Sequence, residues 1–245
     1  DEARLQGECT VDSEQFLRAV AGTANAPIGR SGTARLLNNG EEFYPAIFQA
    51  LREAQKTINL MVYIWEPGRV SDEIFEILTE RARAGVQVRV MVDGLGGHKV
   101  HDENIEALRA AGGQWAWFHP PRFGLLTRLH KRNHRRAIVI DGKIGFTGGA
   151  AVMDKWLGNG REPDRWRDCM VEVHGALARN LQPAFTSLWT HVTGEMLVGP
   201  EFYGNGHGDG DEVECEGVEQ STEAADADGE VLPGEPSSRH ISVIG

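Results

Sequence analysis

His134-Arg135-Arg136-Ala137-Ile138-Val139-Ile140-Asp141-Gly142-Lys143-Ile144-Gly145-Phe146-Thr147-Gly148-Gly149 is the stretch on which the reading of this chain turns. A β-branched apolar run, Ile138 to Ile140, meets Asp141-Gly142 and is followed by Ile144-Gly145-Phe146, which predicts a strand, a tight turn and a second strand. Strand alternation places His134 and Arg136 on one face, an imidazole beside a guanidinium. Gly148 and Gly149 end the second strand without side chains, which predicts that an anion can come close to the backbone there. A histidine next to a fixed cation suits phosphate ester chemistry: the ring attacks phosphorus or passes protons, and the cation neutralises the non-bridging oxygens.

Outward from this hairpin, the upstream chain alternates strand and helix patterns. Thr57 to Trp65 is a nearly continuous apolar run, as expected of a central strand covered on both faces. Val86 to Asp93 predicts a second strand and Gln114 to Phe118 a third. Between the first two, Ser71 is expected to cap a helix that runs to about Ala84, with Asp72 and Glu73 in its first turn. Residues 101 to 111 predict a further helix, and residues 42 to 55 carry Phe43, Ile47, Phe48 and Leu51 at helical spacing after a short strand over Ala34 to Leu37. This alternation predicts parallel crossovers in a layered α/β sheet with ligands at the carboxyl ends of the strands, so Asp93 reads either as site lining or as a turn former.

Downstream come Asp154-Lys155-Trp156, then Trp166-Arg167-Asp168 leading into a strand from Met170 to Val173. A last helix carries Leu177, Leu181, Phe185, Leu188 and Trp189 at helical spacing, and its aromatics read as core. Residues 203 to 238 are rich in glycine and acids, the composition of a flexible linker, and Arg239 to Ile244 turns β-like again.

The formal net charge of -11 is a property of the tail. The 12 acids and single base after residue 200 account for the whole excess, and residues 1 to 200 carry 24 of each sign. Within that neutral body, Arg122, Arg128, Lys131, Arg132, Arg135, Arg136 and Lys143 gather around the hairpin with Asp141 as the local acid, which reads as a basic mouth for an anionic substrate or as a solvated loop. Pro120 to Asn133 mixes these bases with Phe123, Leu125, Leu126 and Leu129, as a flap on a lipid surface or a buried loop contact would. Cys9, Cys169 and Cys215 are too widely spaced for a disulfide framework or a metal site and read as reduced bystanders. With 245 residues and 40% hydrophobic content the chain can bury a core, while no apolar run approaches the ~20 residues of a membrane span. No secretory signal is recognisable, and the start at Asp1 is read as a sign of a segment removed upstream.

His134, Asp141, Gly148 and Gly149 fall in register on the His-x-Lys-x-x-x-x-Asp and Gly-Gly signature of the phospholipase D superfamily, which the chain resembles. Arg136 stands where that family has lysine, and Ala151 where it usually has asparagine. The ordered set Asn39-Gly40-Glu41-Glu42-Phe43-Tyr44, Tyr63-Ile64-Trp65, Val92-Asp93-Gly94 with Gly96, the His134 stretch and Trp166-Arg167-Asp168 is similar to the first, N-terminal lobe of bacterial cardiolipin synthases. The resemblance implies an α/β phospholipase D-like layered sheet with helices on both faces, one lobe of a normally two-lobed fold. The expected division is a lead-in over 1 to 34, the lobe over 35 to 200, the linker over 201 to 238, and the opening strand of a truncated second lobe over 239 to 245, where His240 lacks the rest of a second motif.

The resemblance also implies roles. His134 becomes the nucleophile that forms a phosphohistidine, Arg136 the phosphate cation and Asp168 the carboxylate that orients the ring; beside these, the residues themselves suggest Arg135, Gly148 and Gly149 as phosphate-binding and Asp141 as a turn residue. No metal or other cofactor is expected. The implied activity is a phosphatidyltransferase acting on phosphatidylglycerol, peripheral on a bacterial cell membrane. Its expected partners are anionic phospholipid, the membrane surface and a second phospholipase D-like lobe in cis or trans, and nucleic acid is not expected among them. Two alternatives remain open at this level: a nuclease or phosphodiesterase of the same fold completed by dimerisation, and a degenerate lobe that only binds phospholipid.

Overall fold

The computed structural model describes residues 13–24, 32–120 and 132–204. A helix α1 (Glu14–Ala24) precedes β1 (Ala34–Asn38), and α2 (Asn39–Glu53), β2 (Thr57–Val62), α3 (Arg69–Arg83), β3 (Gln87–Asp93), α4 (Asp102–Ala110) and β4 (Gln114–Phe118) follow in alternation. Then come β5 (Ala137–Ile140), β6 (Ile144–Gly148), β7 (Cys169–His174), α5 (Ala176–Thr193) and α6 (Pro200–Tyr203). The strands form one sheet in the order β1-β7-β6-β5-β2-β3-β4.

Parallel crossovers build only part of this sheet. β2, β3 and β4 are parallel, joined by helices, whereas β5 runs antiparallel to β2 and the pairs β5/β6, β6/β7 and β7/β1 are all antiparallel. For β5/β6 the direction lies in the connection, since a tight turn can join only antiparallel neighbours and a parallel pair needs a long crossover. Asp141 and Gly142 make that turn with φ of 53° and 61°, closed by Lys143 N donating to Ile140 O at 2.9 Å. Two consecutive positive φ values match the right-handed twist of the flanking strands.

β2 is buried at every position and divides the core by its pleat. Leu60 joins Phe43, Leu51, Ile74, Leu78 and Phe146 beneath the α2 and α3 side. Its neighbour Met61 joins Met91, Phe118, Phe185, Trp189 and Phe202 beneath α5 and α6. Helices therefore cover both faces. On the α5 side a buried polar relay fixes the helix over the sheet: Asn59 Nδ2 donates to Gln182 Oε1, Gln182 Nε2 to Thr186 Oγ1, and Tyr203 OH to the same hydroxyl, each at 3.1 Å.

The lobe extends past residue 200, where the linker was expected to begin at 201. Phe202 is buried, Thr57 Oγ1 donates to Glu201 O at 3.2 Å, and a Cβ on Gly142 would lie 2.6 Å from Phe202 O, so α6 closes the sheet at the hairpin turn. The rest of the expected linker over 201–238, the strand expected over 239–245 and most of the flap expected between 120 and 133 lie outside the described residues.

α3 is capped differently from the expectation. The helix starts at Arg69, two residues before Ser71, and the Asp154 carboxylate reaches over to accept from Arg69 N at 3.0 Å and Val70 N at 2.9 Å. Ser71 instead lies inside the helix and accepts from the buried Trp65 Nε1 at 2.8 Å. An acceptor with negative charge at a helix N-terminus satisfies orphan donors and favours the dipole. Asp154→Ala should therefore cost about 1–2 kcal/mol by denaturant titration, the range of lost N-caps.

Candidate active site

Topology brings the candidate residues together at one end of the sheet. Met61 pairs with Ala137, so the chain entering β5 lies at the carboxyl ends of β2 and β3. Gly148 pairs with Met170, so the end of β6 abuts the start of β7, and Asn38 at the end of β1 pairs with Cys169. His134, Arg135, Arg136, Gly148, Gly149 and Asp168 consequently share one edge, with Tyr63 and Asp93 at the ends of β2 and β3 beside them.

The ladder of β5 begins only at Ala137, so His134 to Arg136 form a lead-in instead of the first rungs. His134 is exposed, and its ring stacks on Tyr63 with centroids 4.0 Å apart and planes 22° apart. Among the described residues its ring nitrogens have no hydrogen-bond partner. Its carbonyl accepts from Arg136 NH1 at 2.8 Å. Arg135 is exposed, its backbone N–H tied to Asn133 Oδ1 at 3.1 Å.

Arg136 is half-buried, and Thr147 Oγ1 fixes its carbonyl at 2.9 Å across the hairpin. Its side chain borders a small apolar cavity of about 20 Å³, whose walls include Tyr44, Ile74, Ile138, Ala150 and Ala151. Its Nε is buried and unpaired, so the guanidinium is anchored at one corner with hydrogen-bonding capacity unspent. Tyr44 on the same wall donates to Ala151 O at 2.9 Å and to Met153 O at 3.0 Å, and burial pushes its phenol well above the ordinary range. Ala151 thus contributes a backbone acceptor to the wall, at the position where the resembled family usually has asparagine.

At both glycines the space that a side chain would take is already filled by protein atoms. A Cβ on Gly149 would lie 2.3 Å from Asp168 Oδ1, and one on Gly148 would lie 2.5 Å from Cys169 O. The bare backbone instead lets the Asp168 carboxylate lie against it. That carboxylate accepts from Cys169 N at 2.8 Å and from Trp156 Nε1 at 3.1 Å, and Asp168 O accepts from Asn39 N at 2.8 Å. Asp168 is on the His134 edge but is held by these groups and makes no hydrogen bond to the imidazole.

Asp93 is the residue that sequence reasoning underrated. It is fully buried rather than a solvated turn former: Oδ1 accepts from Leu95 N at 2.9 Å and pairs with Arg132 at 3.4 Å, while Oδ2 accepts from Asn133 N at 3.1 Å. The residue next to His134 is thereby tied to the end of β3. The Val-Asp-Gly ending marked a strand terminus, but nothing in it announced a partner 40 residues away.

Among the described residues, two of the bases counted toward the mouth are engaged or placed elsewhere. Arg132 is spent on Asp93, and Lys143 sits on the β5–β6 turn at the far end of the strands from His134. Arg122, Arg128 and Lys131 lie outside the described residues. Asp141 also belongs to the far end, where its carboxylate accepts from Gln55 N, Lys56 N and Thr57 N at 2.9, 2.7 and 2.8 Å. Elsewhere on β7, burial raises the Glu172 carboxyl, but hydrogen bonds from Arg35 and His174 outweigh it and hold the group below its ordinary value. Among the described residues no cluster of histidine, cysteine and carboxylate side chains is built to hold a metal ion, and no helix is long and apolar enough to cross a membrane.

Comparison with known proteins bears on the fold and the family. The family model described as cardiolipin synthase, phospholipase D-like domain, matches residues 47–189. The cardiolipin synthase of Geobacillus kaustophilus is 36% identical over 188 residues, covering 76% of this chain and 38% of that protein. That of Geobacillus thermodenitrificans is 38% identical over 177 residues, covering 72% and 35%. The chain thus spans little more than a third of the length of these relatives. In fold it is similar to Nuc from Salmonella typhimurium, a phospholipase D family member, with a TM-score of 0.51 and 15% identity over 66% of this chain and 97% of that one. It is also similar to the phosphatidylserine synthase of Haemophilus influenzae, with a TM-score of 0.50 and 16% identity over 66% of this chain and 38% of that one. A match over most of the sheet, with the hairpin and its flanking helices in order, means that this chain belongs to the cardiolipin synthase family, of which it carries a phospholipase D-like domain.

Proposed function

We propose that this domain is one half of a phosphatidyltransferase that works on phosphatidylglycerol at a membrane surface, with His134 as nucleophile. The observation that carries the reading is the convergence of an exposed, unbonded imidazole and an anchored guanidinium on one sheet edge in a chain of this family. A ring nitrogen of His134 attacks the phosphorus of the first lipid, the bond to its terminal glycerol oxygen breaks, and the phosphatidyl group rests on histidine. The departing oxygen takes a proton, leaving glycerol. The hydroxyl of a second phosphatidylglycerol then attacks the same phosphorus, gives up its proton, and frees the ring.

Arg136 neutralises the non-bridging oxygens, its fork suited to two of them at once, and Arg135 adds charge at the mouth. Asp168 is assigned to meet the ring once substrate closes the site, because catalytic hydrogen bonds often tighten only in the complex. The acid that protonates the leaving oxygen is assigned to a second lobe, since the described residues place no second imidazole beside His134.

The test is to supply a second phospholipase D-like lobe to the chain, add vesicles of phosphatidylglycerol and quench in acid. A phosphatidyl adduct that maps to His134 is the expected result. An adduct confined to a histidine of the added lobe would reverse the assignment, and hydrolysis of DNA without any lipid adduct would move the chain to the nuclease reading.

A further inference from the structure

His134 is fixed unevenly: its backbone is tied down while its ring makes no hydrogen bond among the described residues. On the backbone side, Asp93 holds Asn133 N at 3.1 Å and Arg136 holds the His134 carbonyl at 2.8 Å. For the ring, the contact that sets its plane is the stack on Tyr63, with 4.0 Å between centroids and 22° between planes. Tyr63 is half-buried, just past the end of β2. Its own placement is strict. A Cβ on Gly96 would lie 2.0 Å from Tyr63 O, and Trp65 N donates to Gly96 O at 3.1 Å, so the loop after β3 packs directly under the Tyr63 backbone. A single glycine thus lets two strand ends close up beneath the aromatic ring.

We propose that Tyr63 is the positioning residue for His134, acting through the flat face of its ring and not through its hydroxyl. An aromatic face restrains the plane of the imidazole without occupying either ring nitrogen, so one stays open toward phosphorus and the other stays available to Asp168 when substrate closes the site. A nucleophile must keep one nitrogen open toward phosphorus, and a displacement of about 1 Å at a reacting atom can cost about 100-fold in rate. The proposal rests on the reading of His134 as the reacting group, and its test separates the two.

Three forms of the chain are compared: unaltered, Tyr63→Phe and Tyr63→Leu. The first measurement is the NMR shift of the His134 ring protons, which a stacked aromatic ring displaces upfield. Tyr63→Phe should keep the displacement and Tyr63→Leu should lose it, whatever reaction the protein performs. The second is the rate of adduct formation on His134 with the second lobe supplied. Tyr63→Leu should slow it about tenfold with little change in the lipid concentration at half-saturation, and Tyr63→Phe should restore it. Unchanged ring shifts in Tyr63→Leu, or loss of the adduct in Tyr63→Phe with its shifts preserved, would overturn the proposal. Absence of any adduct in the unaltered chain would overturn the proposed function, with the ring shifts still deciding whether Tyr63 holds His134.

Discussion

His134→Ala is expected to lower phosphatidyl transfer by at least ~10³-fold, to the background rate, while leaving the melting temperature nearly unchanged. The two halves of this expectation come from different parts of the structure. Removing a covalent nucleophile removes the step itself, and such losses run to ~10³ or more in comparable enzymes. Stability should hold because His134 is exposed and its ring makes no hydrogen bond among the described residues. What the variant loses is the stack on Tyr63, worth about 0.5–1.5 kcal/mol in general and less at an exposed site. The measurement is turnover of labelled phosphatidylglycerol with the second lobe present, beside a thermal melt of the same preparation. Retention of a tenth or more of the activity would place the nucleophile elsewhere; lost activity with a collapse of the melt would make His134 a folding residue. Arg136 should behave differently, since it borders the core cavity and holds the His134 carbonyl, so its removal should perturb both readouts.

Local chemistry wrote part of this structure plainly into the sequence. The Asp141-Gly142 turn, the continuous burial of β2 and the helical spacing of Phe43, Ile47 and Leu51 each depend on neighbours within a few residues, and each is legible. The contacts that build the site are of the other kind. Asp154 caps α3 from 85 and 84 residues away, and Asp93 holds Asn133 from 40. Neither aspartate differs in its local sequence from an ordinary turn residue, so only the fold reveals what its carboxylate accepts. Gly149 shows the same limit in reverse. The absence of a side chain was readable, but the group that occupies the space is the Asp168 carboxylate, brought in by the β6–β7 pairing. The tight turn accounts for the antiparallel β5/β6 pair, but β2/β5 and β7/β1 join strands far apart in sequence, and no local signal announces their direction.

Asp141 presents the opposite dissociation from His134, with stability lost and chemistry kept. Its carboxylate accepts the three successive N–H groups of Gln55, Lys56 and Thr57, where the chain leaves α2 and enters the central strand. Its own N–H donates to Thr57 O at 3.0 Å, and its φ of 53° is a left-handed conformation that aspartate tolerates better than alanine. Asp141→Ala removes the acceptors and strains the turn at once. Gln55 and Lys56 are exposed and water can take over their donors, but Thr57 is buried and its N–H would be stranded, at a cost of about 1–3 kcal/mol. With roughly 1 kcal/mol for the left-handed alanine, the total is about 2–4 kcal/mol, or a fall of roughly 5–15 °C in melting temperature. Asp141→Asn should lose about half as much, since it keeps the turn preference and one carbonyl oxygen. Because the turn lies at the opposite end of β5 from His134, the adduct on His134 should still form at near-normal rate in either variant when assayed well below the lowered melting point. A melt unchanged by Asp141→Ala together with lost adduct formation would contradict this and place the Asp141 carboxylate in the chemistry.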